Sequence, residues 1–238
     1  LNPPLVLVPL ALEWVVIAST IAPLWFGLFS KRPRLGIASW LLLFLSSGIA
    51  LATAIVVATW SVIYNFVNLE NHSQNLFLTI VYSVAPWLLF AMAGVALNLI
   101  NLRLDVVVQK FKRLIAEPVL PGKHLLTFES VSVEVFELNS AFAIALSRPR
   151  KILLSSGALA ELSDAELEAV LWHEYAHLAA RHNGIKRLVK IVALLAGFLR
   201  ASKVMSHEID RLCEIAADQY ALKRVDASVL KSAREKFL

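Results

Sequence analysis

Residues 35–64 contain no Asp, Glu, Lys or Arg, and neither do residues 76–100. A helix rises 1.5 Å per residue, so about 20 apolar residues cross a hydrocarbon core. Both runs exceed that length, and buried helices of water-soluble domains rarely run so far without a charge. A further apolar run, residues 5–29, is interrupted only by Glu13. Three membrane spans are therefore expected, at about 5–29, 35–64 and 76–100. Trp25, Trp40, Trp60, Tyr64 and Trp87 include aromatic side chains of the kind that anchor spans at the interface.

The charge distribution divides the chain in two. Residues 1–100 carry only Glu13, Lys31, Arg32, Arg34 and Glu70. The other thirty-six of forty-one charged side chains lie beyond them. A composition 58% apolar, with mean hydropathy +0.67, exceeds that of an ordinary soluble domain. The expected layout is a membrane region over 1–104, a linker over 105–124 and a mixed-charge domain over 125–238. The net charge of +5 comes without an aromatic-interleaved basic patch, which argues against a nucleic-acid partner. The one cysteine, Cys213, excludes an intrachain disulfide. The first apolar run has no basic segment before it and is too long for a signal peptide. The chain starts at Leu1 without an initiator Met, as a fragment would.

Loop charges give an orientation. Lys31, Arg32 and Arg34 follow the first run, no Lys or Arg occurs between Asn65 and Asn75, and Arg103, Lys110, Lys112 and Arg113 follow the third. Lys and Arg concentrate on the cytoplasmic side, so the first loop and the C-terminal half are expected there, with the N-terminus outside. Glu13 falls within the first span. It is either a functional carboxylate or a residue near the outer end of a tilted helix.

The second half reads as α+β. Val131, Val133 and Val135 alternate with Ser132 and Glu134, giving one half-buried strand over Leu126–Leu138. Ala141–Leu146 and Lys151–Leu154 are further strand candidates. Ser163 with Glu166 three residues on forms a capping-box pattern. It opens a helix expected to run to about His182 and to stop at Asn183-Gly184. Residues 188–199 are apolar but for Lys190, and too short to cross a bilayer; a buried, re-entrant or interfacial helix is expected. Another helix is expected from about Ser206 through Leu222.

Within the capped helix, residues 173–177 read His-Glu-Tyr-Ala-His. His173 and His177 lie one turn apart on one face, where both imidazoles can reach a single Zn²⁺. A catalytic zinc takes three protein ligands and keeps a position for water. Glu214 is the candidate third ligand. Asp218, one turn further on its face, is placed to accept the second N–H of a ligand histidine, His173 for preference. Ala216 and Ala217 would let that helix approach closely. Glu174 is expected to act as the base rather than as a ligand. His207 or Arg211 would share the face of Glu214 and stabilise an oxyanion. Cys213 points about 100° away from Glu214 and reads as a small core residue. His72, His124 and His182 read as loop, linker and helix-end residues. The competing reading of the pentapeptide is a helix with two surface histidines and one acid.

Asn139-Ser-Ala-Phe-Ala-Ile-Ala-Leu, Arg148-Pro-Arg-Lys-Ile-Leu-Leu-Ser-Ser-Gly157 and Leu162 through His177 together resemble the membrane gluzincin metallopeptidases. Two groups share these stretches: the BlaR/MecR type and the HtpX and CAAX-protease type. Thirty-six residues between His177 and Glu214, and three spans before a cytoplasmic zinc domain, are closer to BlaR/MecR. No penicillin-binding domain follows within these 238 residues, so β-lactam sensing is not expected. The resemblance implies that the strand after Asn139, with Ser140 and Ala141, lines the cleft and pairs with an extended substrate.

The fold expected is a membrane α-helical N-terminal half with three transmembrane helices, followed by an α+β zincin-like metallopeptidase domain. The expected function is zinc endopeptidase activity on a protein or peptide substrate at the cytoplasmic face of a bacterial membrane, with one Zn²⁺ per chain. HtpX-like quality control, or a zinc-binding signalling or scaffold protein that does not cleave, is the alternative. Glu174 argues against the last, since a scaffold needs no base.

Overall fold

The computed structural model describes residues 3–67, 123–195 and 200–236. These fall into two compact units: residues 3–24 with 39–67, and residues 25–38 with 123–195 and 200–236.

The first unit is helical. Helix α1 (Pro3–Ile21) ends in a 3-10 turn, Ala22–Trp25. Pro23 has no N–H to continue the α-helical ladder, which stops the first apolar run short of residue 29. Helix α2 (Pro33–Val67) carries the second run. Trp14 Nε1 donates to Ser46 Oγ at 3.2 Å, joining the two helices. Leu7–Trp25 and Pro33–Ser61 are each long and apolar enough to cross a membrane, and 11% of each stretch is buried. Leu42, Leu45, Val56 and Trp60 are more than half exposed. So little burial is unlike a soluble core helix. The expected third span, 76–100, and residues 105–122 of the expected linker lie outside the described residues; Lys123 and His124, expected in that linker, begin the sheet of the second unit instead.

The second unit is α+β. Strands β1 (Lys123–Phe128), β2 (Val131–Phe136), β3 (Ala143–Ser147) and β4 (Arg150–Ser155) form one sheet in the order β1-β2-β4-β3. β2 and β4 run parallel; the other neighbours are antiparallel. The single strand expected over Leu126–Leu138 is in fact two strands. Glu129 and Ser130 both have positive φ and form a two-residue turn. That turn normally carries Asn or Gly, so its signal was missing from the sequence.

Helices α3 (Ser156–Glu161), α4 (Asp164–Ala179), α5 (His182–Leu195), α6 (Arg200–Ala221) and α7 (Ala227–Glu235) complete the unit. Both halves of the capping box at Ser163 and Glu166 are present. α4 stops at Ala180 rather than His182, because Arg181 turns left-handed (φ 54). Asn183 and Gly184 instead open α5, where the Asn183 amide donates to Ala145 O at 2.6 Å. α6 starts six residues before Ser206.

Val131, Val133, Ile152 and Leu154 of the sheet pack against Val170, Leu171 and Leu178 of α4. Ala169, Ala176, Ala216, Ala217 and Ala221 are buried on α4 and α6. Small side chains let those helices approach, so a pair of ligand sets on each can face one another. Arg224 stacks on Trp172 and Tyr220, 4.2 and 4.0 Å from their ring centroids, and ties the middle of α4 to the end of α6.

Residues 25–38 belong to this unit through a buried polar clamp. Glu208 of α6 is fully buried. It accepts from Gly27 N–H at 3.0 Å and from Arg211 Nε and Nη2 at 2.8 Å each. Arg211 also donates to Ser30 Oγ at 3.1 Å and lies over the Phe26 ring. Gly36 is required at the start of α2: a Cβ there would stand 2.5 Å from Phe29 Cβ and 2.8 Å from Leu212.

Candidate metal centre

α4 and α6 present their polar faces to each other across a cleft of about 400 Å³. His173 and His177 come from α4, one turn apart, and Glu214 from α6. His173 Nε2 lies 3.2 Å from His177 Nε2 and 3.3 Å from Glu214 Oε2; His177 Nε2 lies 3.6 Å from the same oxygen. A tetrahedral Zn²⁺ with bonds of about 2.0–2.1 Å sets its donors roughly 3.3–3.4 Å apart. The triangle fits one ion of that size, and two imidazoles with one carboxylate are a donor set zinc accepts.

Each donor is held from behind. His173 Nδ1 is 3.0 Å from Asp218 Oδ1, and these two buried atoms have no other partner among the described residues. The second oxygen of Asp218 takes Arg234 Nη1 of α7. His177 Nδ1 is 3.1 Å from Nδ1 of His182, which is buried at the start of α5. Lys186, one turn along α5, donates to Glu214 Oε1 at 2.6 Å and leaves Oε2 to face the histidines. One face of α5 therefore backs two of the three donors.

The electrostatics follow from these contacts. Burial disfavours the charged form of His173, but Asp218 and Glu214, with Glu174 nearby, outweigh it and hold the imidazole up at about 9. Burial would raise the Glu214 carboxyl; His173, His177 and Lys186 overcome this and hold it far below the usual carboxylate range. Burial, with His177 and Lys186 close by, pushes His182 down to about 4. Neutral His182 can accept at Nδ1, which fixes the proton of His177 on Nδ1 and frees Nε2 for a metal.

Glu174 lines the cleft beside His173 and Glu214, together with Ala143, Val170, Leu230 and Arg234. The two residues expected to stabilise an oxyanion lie elsewhere. Arg211 is committed to the Glu208 clamp, and His207 is exposed on α6. The cation lining the cleft is Arg234, half-exposed on α7. Asn139, Ser140 and Ala141 form a loop before β3, with Ser140 O accepting from Ser155 Oγ at 2.8 Å. Gly157 lets that loop pass, since a Cβ would meet Asn139 O at 2.2 Å. The strand lining the cleft begins at Ala143, the outer strand of the sheet. Cys213 is buried and its thiol is pushed up to about 12 by burial, as an inert core residue would be. Glu13 is exposed on α1 and makes no ion pair among the described residues. His72 lies outside the described residues.

Residues 102–208 match peptidase family M48. The match covers a little under half of the chain and includes His173, Glu174 and His177, but ends six residues before Glu214. M48 peptidases are zinc-dependent, in agreement with the donor triangle. No curated protein matches the chain.

His182, Lys186 and Arg234 are the contributors the sequence reading missed. His182 and Lys186 had one available signal, a spacing of four on a helix that starts five residues after His177. Arg234 had none, because its place depends on how α7 folds back.

Proposed function

We propose that the chain is an integral membrane zinc endopeptidase that cleaves a membrane-proximal protein or peptide on the cytoplasmic side, in regulatory proteolysis. The observation that carries this reading is the donor triangle of His173, His177 and Glu214, with an uncommitted carboxylate, Glu174, in the same cleft. When bound, Zn²⁺ would polarise a peptide carbonyl and make water acidic enough to attack it near neutral pH. Glu174 takes the proton of the attacking water and passes it to the leaving amine. Arg234 donates to the oxyanion from the far wall. Asp218, His182 and Lys186 keep the donors in register, so little reorganisation is needed. The outer strand β3 offers backbone groups to an extended substrate, which recognises a peptide without reading its sequence. Ala143, Val170 and Leu230 favour an apolar side chain beside the scissile bond.

The clamp supports the membrane layout. Residues 25–38 pack into the zinc unit, which supports a reading in which the basic loop and the cleft share one side of the membrane. Lys31, Arg32 and Arg34 support the cytoplasmic side for both. If α2 crosses outward, the chain must cross back before Lys123, and residues 76–100 are the apolar run available to do so.

The test is zinc content and casein cleavage by the purified full chain. Bound zinc near one per chain is expected. Glu174→Gln should keep the metal and lose roughly 10²–10⁴-fold in rate. Absence of zinc, or equal cleavage by the variant, refutes the proposal.

A further inference from the structure

The basic loop does more than mark an orientation. Arg32, Arg34 and Leu35 form one wall of a cleft of about 230 Å³, and Gln219 and Tyr220 of α6 with Lys223 of the turn that follows it form the other. No carboxylate lines it. None of its three cations has an ion pair among the described residues. Like charges gathered around one small space repel unless an anion sits between them. Retention of a basic loop on one side of a membrane accounts for Lys31, Arg32 and Arg34. It does not account for Lys223, which comes from the turn after α6, about 190 residues along the chain. Lys31 does not line the cleft.

The neutral groups point to an oxyanion. Tyr220 OH accepts from Arg224 at 3.1 Å, leaving its own proton free to donate. The Gln219 amide is exposed at the rim. Leu35 lines the cleft and is more than half exposed, as are Phe26 and Leu28 earlier in the same segment. The occupant is therefore amphipathic, with a compact anion and an apolar body. Pro33 begins both α2 and the candidate span, so the cleft lies where a span meets the headgroup layer.

We infer that this cleft binds the phosphate of an anionic phospholipid, with its acyl chains leaving past Leu35. The proposal goes beyond peptide hydrolysis and does not depend on it. A second cavity shares Arg34, Ala216 and Tyr220 with the cleft and reaches His182. The bound headgroup therefore sits behind the helix that carries Glu214 and Asp218.

The test uses the full chain in detergent, with lipid retention read by native mass spectrometry. The probes are phosphatidylglycerol, phosphatidylcholine and inorganic phosphate. Phosphatidylglycerol should be retained in preference to phosphatidylcholine, and millimolar phosphate should not displace it. Arg34→Gln and Lys223→Gln should each weaken retention roughly fivefold. Lys31→Gln removes the same charge from the same loop and should stay within about twofold of wild type. Equal retention of the two lipids overturns the proposal. So does an equal loss in Lys31→Gln and Lys223→Gln, which would show a diffuse surface charge. Displacement by inorganic phosphate would show that a free phosphoanion is the ligand, and would overturn the lipid assignment.

Discussion

Replacing His182 with leucine isolates what a helix outside the HExxH pattern contributes to metal binding. His182 is buried, and its Nδ1 lies 3.1 Å from Nδ1 of His177. For His177 to offer Nε2 to a metal, its Nδ1 must carry the proton, and His182 is the acceptor for it. Leucine keeps much of the bulk and removes the acceptor, leaving a buried N–H without a partner. That costs about 1–3 kcal/mol, or roughly 5- to 150-fold in zinc affinity. Losses of about 10–100-fold are usual when a metal ligand loses its supporting hydrogen bond. Asparagine places an oxygen near the position of Nδ1, so His182→Asn should recover most of the affinity. The assay is zinc competition against a chromogenic chelator, with melting temperature measured alongside and cleavage rate at saturating zinc. His182→Leu should fall within the stated range, and its rate should largely recover when zinc is saturating. If leucine binds zinc within twofold of wild type, or leucine and asparagine lose equally, His182 does not position His177.

Lys186→Gln should weaken zinc binding roughly tenfold, because Glu214 loses the cation that fixes which oxygen faces the metal; unchanged affinity in the same competition assay refutes this. Glu166 is held down at about 2, against an ordinary 4.5, by Lys236, Ser232 and Ser163. Its folded-state pKa is depressed, so its stabilisation is complete above about pH 4.5 and lost as pH falls towards about 2. The melting-temperature gap between wild type and Glu166→Gln should narrow across that window, and a gap that stays constant is the opposing result. Gly157→Ala should destabilise by about 1–3 kcal/mol, because its Cβ meets the Asn139 carbonyl backbone rather than a flexible side chain; an unchanged melting temperature would show that the loop before β3 yields.

How far the sequence could be read depended on whether a feature is local. The capping box at Ser163, the spacing of His173 and His177 and that of Glu214 and Asp218 are each set within one helix, and a 3.6-residue period exposes them. The angle between helices is not local. His182 reaches His177 because Arg181 breaks the chain into a new helix, and a left-handed arginine leaves no compositional trace. Glu129-Ser130 hid a hairpin for the same reason. The segment 25–38 is the sharpest case. By hydropathy residues 26–29 are the tail of a span. They join the zinc unit only because Glu208, some 180 residues later, is buried facing Gly27 N–H and needs partners. A fully buried carboxylate demands such partners. The clamp is therefore both a structural necessity for α6 and the link that makes residues 25–38 part of the unit that holds the candidate metal centre. Arg211, whose spacing suggested a place at the metal, is fixed away from it by that same demand. Two polar side chains on one helix face can thus serve different sites, and which of them faces the metal is decided by the segment that packs against the helix, not by the helix alone.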